Sequence, residues 1–226
     1  MASRNPQSPP SKSPSKNPSA LAPSYSLVAT VVELAVGALL VYALVFEISV
    51  GPDGAFMFYS RFLTMWSHVL QMVFFLSAPF LRYAAARSPA IQSLYDGAFA
   101  LSGLLSFTVS LHFWAIFLVM PDLIISPEAL KTYPFWLNLV QHLWNSVFIV
   151  AEGRLVCHRF HTARDFRNSG FIAGAYLVWI GFIWSKTGQW PYPFFSALST
   201  ELVVGFIFVV LLSELILYKL LKTVCA

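Results

Sequence analysis

The chain has 226 residues, 58% of them hydrophobic and 11% charged, where an ordinary soluble domain is roughly 25% charged. With a mean hydropathy of +0.69, a net charge of +4 and long apolar runs, it is excluded from the disordered class and disfavoured as a soluble globule; it uses lipid as its solvent. At about 20 residues per crossing, six or seven crossings consume the length, so any chemistry must sit in the helices or their short connections.

Residues 1–24 form a separate block with six Pro and seven Ser, and with Arg4, Lys12 and Lys16 as its charges. Such a segment buries too little apolar surface to offset its ordering entropy, and it reads as a disordered cytosolic tail. It is not a cleavable signal peptide, because the apolar run that follows is too long for a signal core. Residues 25–226 form one membrane domain.

Six apolar segments follow, at about Tyr25 to Val50, Phe56 to Phe80, Asp96 to Val119, Tyr133 to Ala151, Gly170 to Lys186 and Phe194 to Leu220. None alternates with period two, so the expected fold is all-α: a polytopic bundle of six transmembrane helices. Gly51-Pro52-Asp53-Gly54, Ser88-Pro89, Ser126-Pro127 and Pro191-Tyr192-Pro193 mark the connections. Eleven of the fourteen Lys and Arg residues lie in the tail, the loop of Arg82 and Arg87, the loop of Arg154, Arg159, Arg164 and Arg167, and the end with Lys219 and Lys222. These are alternate connections of a six-helix bundle, so the positive-inside rule places both termini in the cytosol. The basic charge reports topology, and nothing supports a nucleic-acid partner. Endomembrane and plasma membrane remain equally open.

Polar residues at membrane depth are costly unless they face the bundle interior. The second segment carries Thr64, Ser67, His68 and Gln71, and the fourth carries Asn138, Gln141, His142 and Asn145, both at i, i+3, i+4, i+7 spacing. Each set therefore shares one helix face. Thr64 lies eight residues into its segment and His142 nine into its own, which at 1.5 Å per residue sets both roughly 12 to 14 Å below the outer boundary. A hydroxyl beside an imidazole is the minimum equipment for acyl transfer: the imidazole takes the hydroxyl proton, and the alkoxide attacks an ester carbonyl. Asn138, Gln71 and Asn145 are alternative oxyanion donors. His68, a turn deeper, and His112 in the third segment compete with His142 as partners of Thr64.

Against this stands a plain packing role, in which Thr64 bonds back to its own helix and both stripes fasten helices together. Glu33, Glu201 and Glu214 lie at membrane depth and are expected either to pair or to be protonated; a carrier would use such groups. Cys157, His158 and His161 cluster in a basic loop without the spacing of a zinc site. Cys157 and Cys225 both fall on the cytosolic side, where a disulfide is not expected.

The stretches Arg61-Phe62-Leu63-Thr64 with Leu70-Gln71, Leu94-Tyr95-Asp96, Phe113-Trp114, Tyr133-Pro134-Phe135-Trp136-Leu137-Asn138 with His142, and Thr187-Gly188-Gln189-Trp190-Pro191-Tyr192-Pro193-Phe194 resemble the family of the androgen-induced gene protein and the androgen-dependent TFPI-regulating protein. The resemblance implies a multi-pass membrane hydrolase that cleaves fatty acid esters of hydroxy fatty acids with a threonine nucleophile, falling on Thr64, and a histidine partner, falling on His142. It implies no metal or organic cofactor, and a substrate that arrives within the bilayer. Leu139 and Leu143 stand where the family pattern has His and Thr, so no role passes to those positions. The contrasting reading is a non-enzymatic lipid or solute carrier, or a membrane scaffold, in which the polar stripes serve as helix glue.

Overall fold

The computed structural model describes residues 23–124 and 133–225, which are helical throughout, with no strand among them. The Ser/Pro/Lys-rich tail up to residue 22 and the expected break at Ser126-Pro127 lie outside the described residues.

Helix α1 (Pro23–Val50) ends at the Gly51 to Gly54 turn, where Gly54 takes the left-handed conformation at φ 73°, open to glycine without penalty. A short α2 (Ala55–Tyr59) and α3 (Leu63–Ala85) follow. The sequence suggested one helix from Phe56, and the chain instead breaks at Ser60 to Phe62. Helix α4 (Pro89–Phe117) starts with a Ser88 side chain accepting the Ile91 N–H and with Pro89 in its first turn, where a missing N–H does no harm. It begins seven residues ahead of the expected start at Asp96.

The expected fourth helix is interrupted. It comprises α5 (Phe135–Leu139), a π-helical turn (Val140–Trp144) and α6 (Asn145–Leu155). Helix α7 (Thr162–Thr187) is capped by the His161 ring accepting the Arg164 N–H and stopped by Gly188 at φ 65°. Phe194, expected to open the last span, belongs to the short α8 (Pro193–Ala197), and α9 runs over Thr200–Val224.

Among the described residues, four helices, at Leu27–Val50, Leu63–Ala85, Pro89–Phe117 and Thr200–Val224, are long and apolar enough to cross a membrane. Their outer faces carry exposed Leu34, Phe80, Phe208 and Ile216, as expected where lipid replaces water. Helix α4 is the central post: it packs against α3, α6, α7 and α9. Close approach is permitted by Gly103, whose absent Cβ would sit 2.8 Å from Leu221, and by Gly153 against Cys225.

The polar groups within the bundle are largely paired. Arg82 donates to Glu33 at 2.6 Å, and Tyr95 donates to Glu152 at 2.8 Å. His158 is no loop ligand: its ring turns inward, stacks on Phe99 at 3.8 Å and lies between Asp96 and Glu152. Gln141 donates to Glu47 at 2.7 Å, and Ser169 to Glu214. Glu201 stands exposed at the start of α9, so of the three glutamates expected at depth it is the one that does not enter the bundle. Both cysteines are free thiols, Cys157 exposed and Cys225 buried.

Candidate functional site

The break before α3 is made by side chains from elsewhere in the fold. Trp66 and Trp179 both donate their indole N–H to the Ser60 carbonyl, at 2.9 and 3.0 Å. Tyr176 donates to the Arg61 carbonyl at 2.9 Å, and the Tyr192 hydroxyl accepts the Leu63 N–H at 3.1 Å. Burial holds the Tyr192 phenol above its usual titration range, so it remains a neutral hydroxyl. These four aromatics satisfy backbone groups that the interrupted helix leaves open, and they fix Thr64 in the first turn of α3. That turn lies at the positive end of the helix dipole, where developing negative charge is favoured.

His142 sits in the π-helical turn, a local widening that recurs at functional sites. The residue is held at three points, two on its ring and one on its backbone. It stacks on Phe113 at 3.6 Å between centroids, and its Nδ1 lies 3.1 Å from the Asn138 carbonyl. Its own carbonyl accepts the Trp114 indole N–H at 2.8 Å. A carbonyl can only accept, so Nδ1 carries the proton and Nε2 presents its lone pair. That Nε2 lies 3.2 Å from Thr64 Oγ1. The Thr64 hydroxyl therefore donates to His142, which is the arrangement a base needs toward the group it deprotonates.

Thr64 is half-buried and lines a cavity of about 150 Å³ enclosed by α4, α7, α8 and α9, with Phe113, Ile180, Phe206 and Val210 among its walls. The imidazole does not line this space; it stands behind Thr64 and Phe113. An ester group at the wall would meet the Thr64 oxygen with the base on the far side.

The other residues singled out in the sequence fall apart from this pair. His68 is buried against the Leu40 carbonyl at 2.8 Å, a helix-to-helix tie to α1. His112 lines the cavity, with Nδ1 bound to the Thr108 carbonyl of its own helix at 2.8 Å. Gln71 is not available as an oxyanion donor, because its amide is committed to Ser106 Oγ at 2.8 Å and to the Asn145 carbonyl at 2.7 Å. Asn145 Nδ2 and Asn138 Oδ1 are buried with no partner among the described residues. Gln71 thus joins α3 to α4 and α6, while His68 and Gln141 tie their helices to α1, and Thr64 and His142 are the stripe residues that meet each other. Cys157, His158 and His161 scatter, and no metal-capable group is found among the described residues.

Tyr176, Trp179 and Tyr192 were not recognised from sequence as supports of the site. Tyr192 stood there only in the Pro191-Tyr192-Pro193 connection and in the conspicuous Thr187 to Phe194 element.

Comparison with known proteins gives a consistent relationship. A family model described as FAR-17a/AIG1-like protein matches residues 26–225. The chain is similar to the androgen-dependent TFPI-regulating protein of Mesocricetus auratus, with 30% identity over 158 residues that cover 66% of this chain and 68% of that one. It is also similar to the protein of the same name from Homo sapiens, at 36% over 95 residues, 40% of each chain. No solved structure matches. With nearly its whole helical domain matched, this chain belongs to the FAR-17a/AIG1-like family.

Proposed function

We propose that the chain is a membrane-embedded lipid ester hydrolase in which Thr64 is the nucleophile and His142 the base. The observation that carries this reading is the 3.2 Å contact from Thr64 Oγ1 to a His142 Nε2 whose lone pair is freed by the Asn138 carbonyl, on the wall of an apolar cavity.

In the first half-reaction the Thr64 proton moves to His142 Nε2 and the oxygen attacks the ester carbonyl. The tetrahedral oxyanion forms beside the first turn of α3, and its collapse leaves an acyl-Thr64 while the imidazolium returns the proton to the departing alkoxide. In the second, water gives its proton to Nε2, its oxygen attacks the acyl carbonyl, and Thr64 leaves as the hydroxyl with the proton restored. Water and ester become acid and alcohol, and the reaction balances without a metal or organic cofactor.

An ester carried on two apolar chains suits a site with apolar walls inside a bundle. Fatty acid esters of hydroxy fatty acids are the class that the sequence resemblance suggests. The topology that fits is six crossings by α1, α3, α4, α5 with α6, α7 and α9, with both termini cytosolic. Over Phe135–Leu155 the interrupted helix spans about 30 Å and α7 about 39 Å at 1.5 Å per residue, enough for the hydrocarbon core. Thr64 then lies toward the outer face, where water for deacylation is near.

The test is hydrolysis of such an ester by membranes with matched folded amounts of native, Thr64→Ala and His142→Ala protein. Activity confined to the native chain supports the hydrolase; equal background in all three replaces it with a carrier or scaffold.

A further inference from the structure

The cavity is not uniformly apolar. On its wall are Thr108 and His112 from α4 and Glu214 from α9. From the outer rim, Ile116 of α4 and Phe206 of α9, both Thr108 and Glu214 lie eight residues along their helices, about 12 Å toward the bundle centre. The mouth belongs to the proposed chemistry, but nothing in that chemistry uses this inner patch.

Its hydrogen bonding is incomplete. Thr108 is 3% exposed, and its Oγ1 has no partner among the described residues. Glu214 is 8% exposed, and both its oxygens lie within 2.9 Å of Ser169 Oγ. One hydroxyl has one proton, so a carboxylate with room for about four donors receives one here. No cation is paired with Glu214 among the described residues. His112 Nε2, the acceptor nitrogen of a ring whose Nδ1–H is bound to a carbonyl, has a long 3.5 Å contact to Ser213 Oγ. The Ser213 hydroxyl itself lies 2.7 Å from the Val210 carbonyl. Acceptors with few donors, gathered in one largely apolar cavity, are costly unless something supplies a proton donor.

We infer that this inner patch is a recognition subsite for an O–H group on one chain of the lipid, beyond the ester that faces Thr64: Thr108 lies five residues, about 8 Å, along α4 from the Phe113 that stacks on His142. This deepens the hydrolase reading and rests on it for the position of the ester. An apolar chain fills the cavity between the two polar points, and its O–H group donates to Glu214 or His112 while accepting from the Thr108 hydroxyl. Two sources present that chemistry: a hydroxyl within the chain, or the undissociated carboxyl of a hydroxy fatty acid arm. A plain chain of equal length leaves the acceptors unmet and binds less well.

Binding is measured in full-length Thr64→Ala protein in phosphatidylcholine vesicles, so that turnover does not intervene. A photoreactive diazirine ester labels the cavity, and three unlabelled esters of equal chain length compete: plain, hydroxylated, and carboxyl-terminated, the O–H group of the last two about 8 Å from the ester. One added hydrogen bond in the cavity predicts that an O–H lipid competes about fivefold better than the plain one. Adding Thr108→Val or Glu214→Gln brings that ratio toward one, and the leading competitor names the source. Equal competition by all three lipids, or a preference that survives both substitutions, overturns the subsite. Because Glu214 also ties α9 to α7, the Thr108→Val result stands as evidence if the Glu214 variant does not fold. A native chain that hydrolyses none of these esters yet keeps the binding preference overturns the hydrolase and leaves the subsite.

Discussion

The Tyr192 hydroxyl accepts the amide proton of Leu63 at 3.1 Å, although 129 positions separate the two residues. The connection between α7 and α8 thereby holds the turn that presents Thr64. Tyr192→Phe removes the acceptor and leaves a partly buried N–H unmet, which costs about 1 to 3 kcal/mol. The expected result is a lowered Tm together with a fall in kcat larger than the change in KM, because the phenyl ring stays in the cavity wall and only the turn that presents Thr64 loses its tie. Equal kcat with a lowered Tm would make Tyr192 a purely structural brace.

Thr64→Ser keeps the hydroxyl and loses the methyl group. Retention of a measurable fraction of activity is expected, against none in Thr64→Ala, with both proteins melting close to the native chain. If Ser and Ala variants are equally inactive, the methyl contact outweighs the hydroxyl.

Gln71 separates glue from chemistry. Its amide bridges Ser106 and the Asn145 backbone, and interhelical bonds of this kind average about 0.6 kcal/mol each. Gln71→Leu should lower stability by about 1 kcal/mol while activity per folded molecule stays near native. A selective loss of turnover would place Gln71 in the reaction.

Arg82 and Glu33 form a buried ion pair at 2.6 Å, with their side chains 14% and 0% exposed. Removing one partner strands a charge, so Arg82→Met alone should destabilise by about 3 to 5 kcal/mol, and adding Glu33→Gln should recover a large part of that. Thermal melts of the two single variants and the double variant measure the coupling; strict additivity would contradict the pairing.

The cysteines report both burial and topology. Burial pushes the Cys225 thiol up to about 11, and only the thiolate reacts, so Cys225 stays unlabelled by maleimide at pH 8 and gains reactivity as pH rises. Cys157 is exposed and labels at pH 8. In intact cells a membrane-impermeant maleimide should reach Cys157 only after permeabilisation; labelling without it would invert the proposed orientation.

What the sequence disclosed about the site was its polar periodicity. Thr64 and His142 stood out because hydroxyl and imidazole are rare in apolar helices, and stripe spacing put each on an inward face. The depth count that matched them ran through Phe56 to Thr64 as one helix, yet the chain breaks at Ser60 to Phe62. That run contains neither Gly nor Pro, and the break is held by nearby Trp66 and, from a distance, by Tyr176, Trp179 and Tyr192. Hydrogen bonds from such distant side chains leave no local signal. The π-helical turn at His142 was equally hidden, since Val140 to Trp144 has ordinary helical composition. Charge was legible only as a demand for partners: Glu33 and Glu214 were expected to pair or be protonated, but their partners Arg82 and Ser169 lie 49 and 45 positions away. His158 looked like loop chemistry because its neighbours are basic, and only the fold shows it stacked inside on Phe99.

The central claim is that Thr64 Oγ1 is a nucleophile activated by His142. The most direct measurement is peptide mass spectrometry of the full-length protein in membranes after treatment with a lipid fluorophosphonate, which traps an activated hydroxyl as a stable phosphonate ester. The account predicts one phosphonate on the peptide containing Thr64, absent in Thr64→Ala and strongly reduced in His142→Ala. Adduct formation at another hydroxyl, or on Thr64 at the same rate without His142, would contradict it.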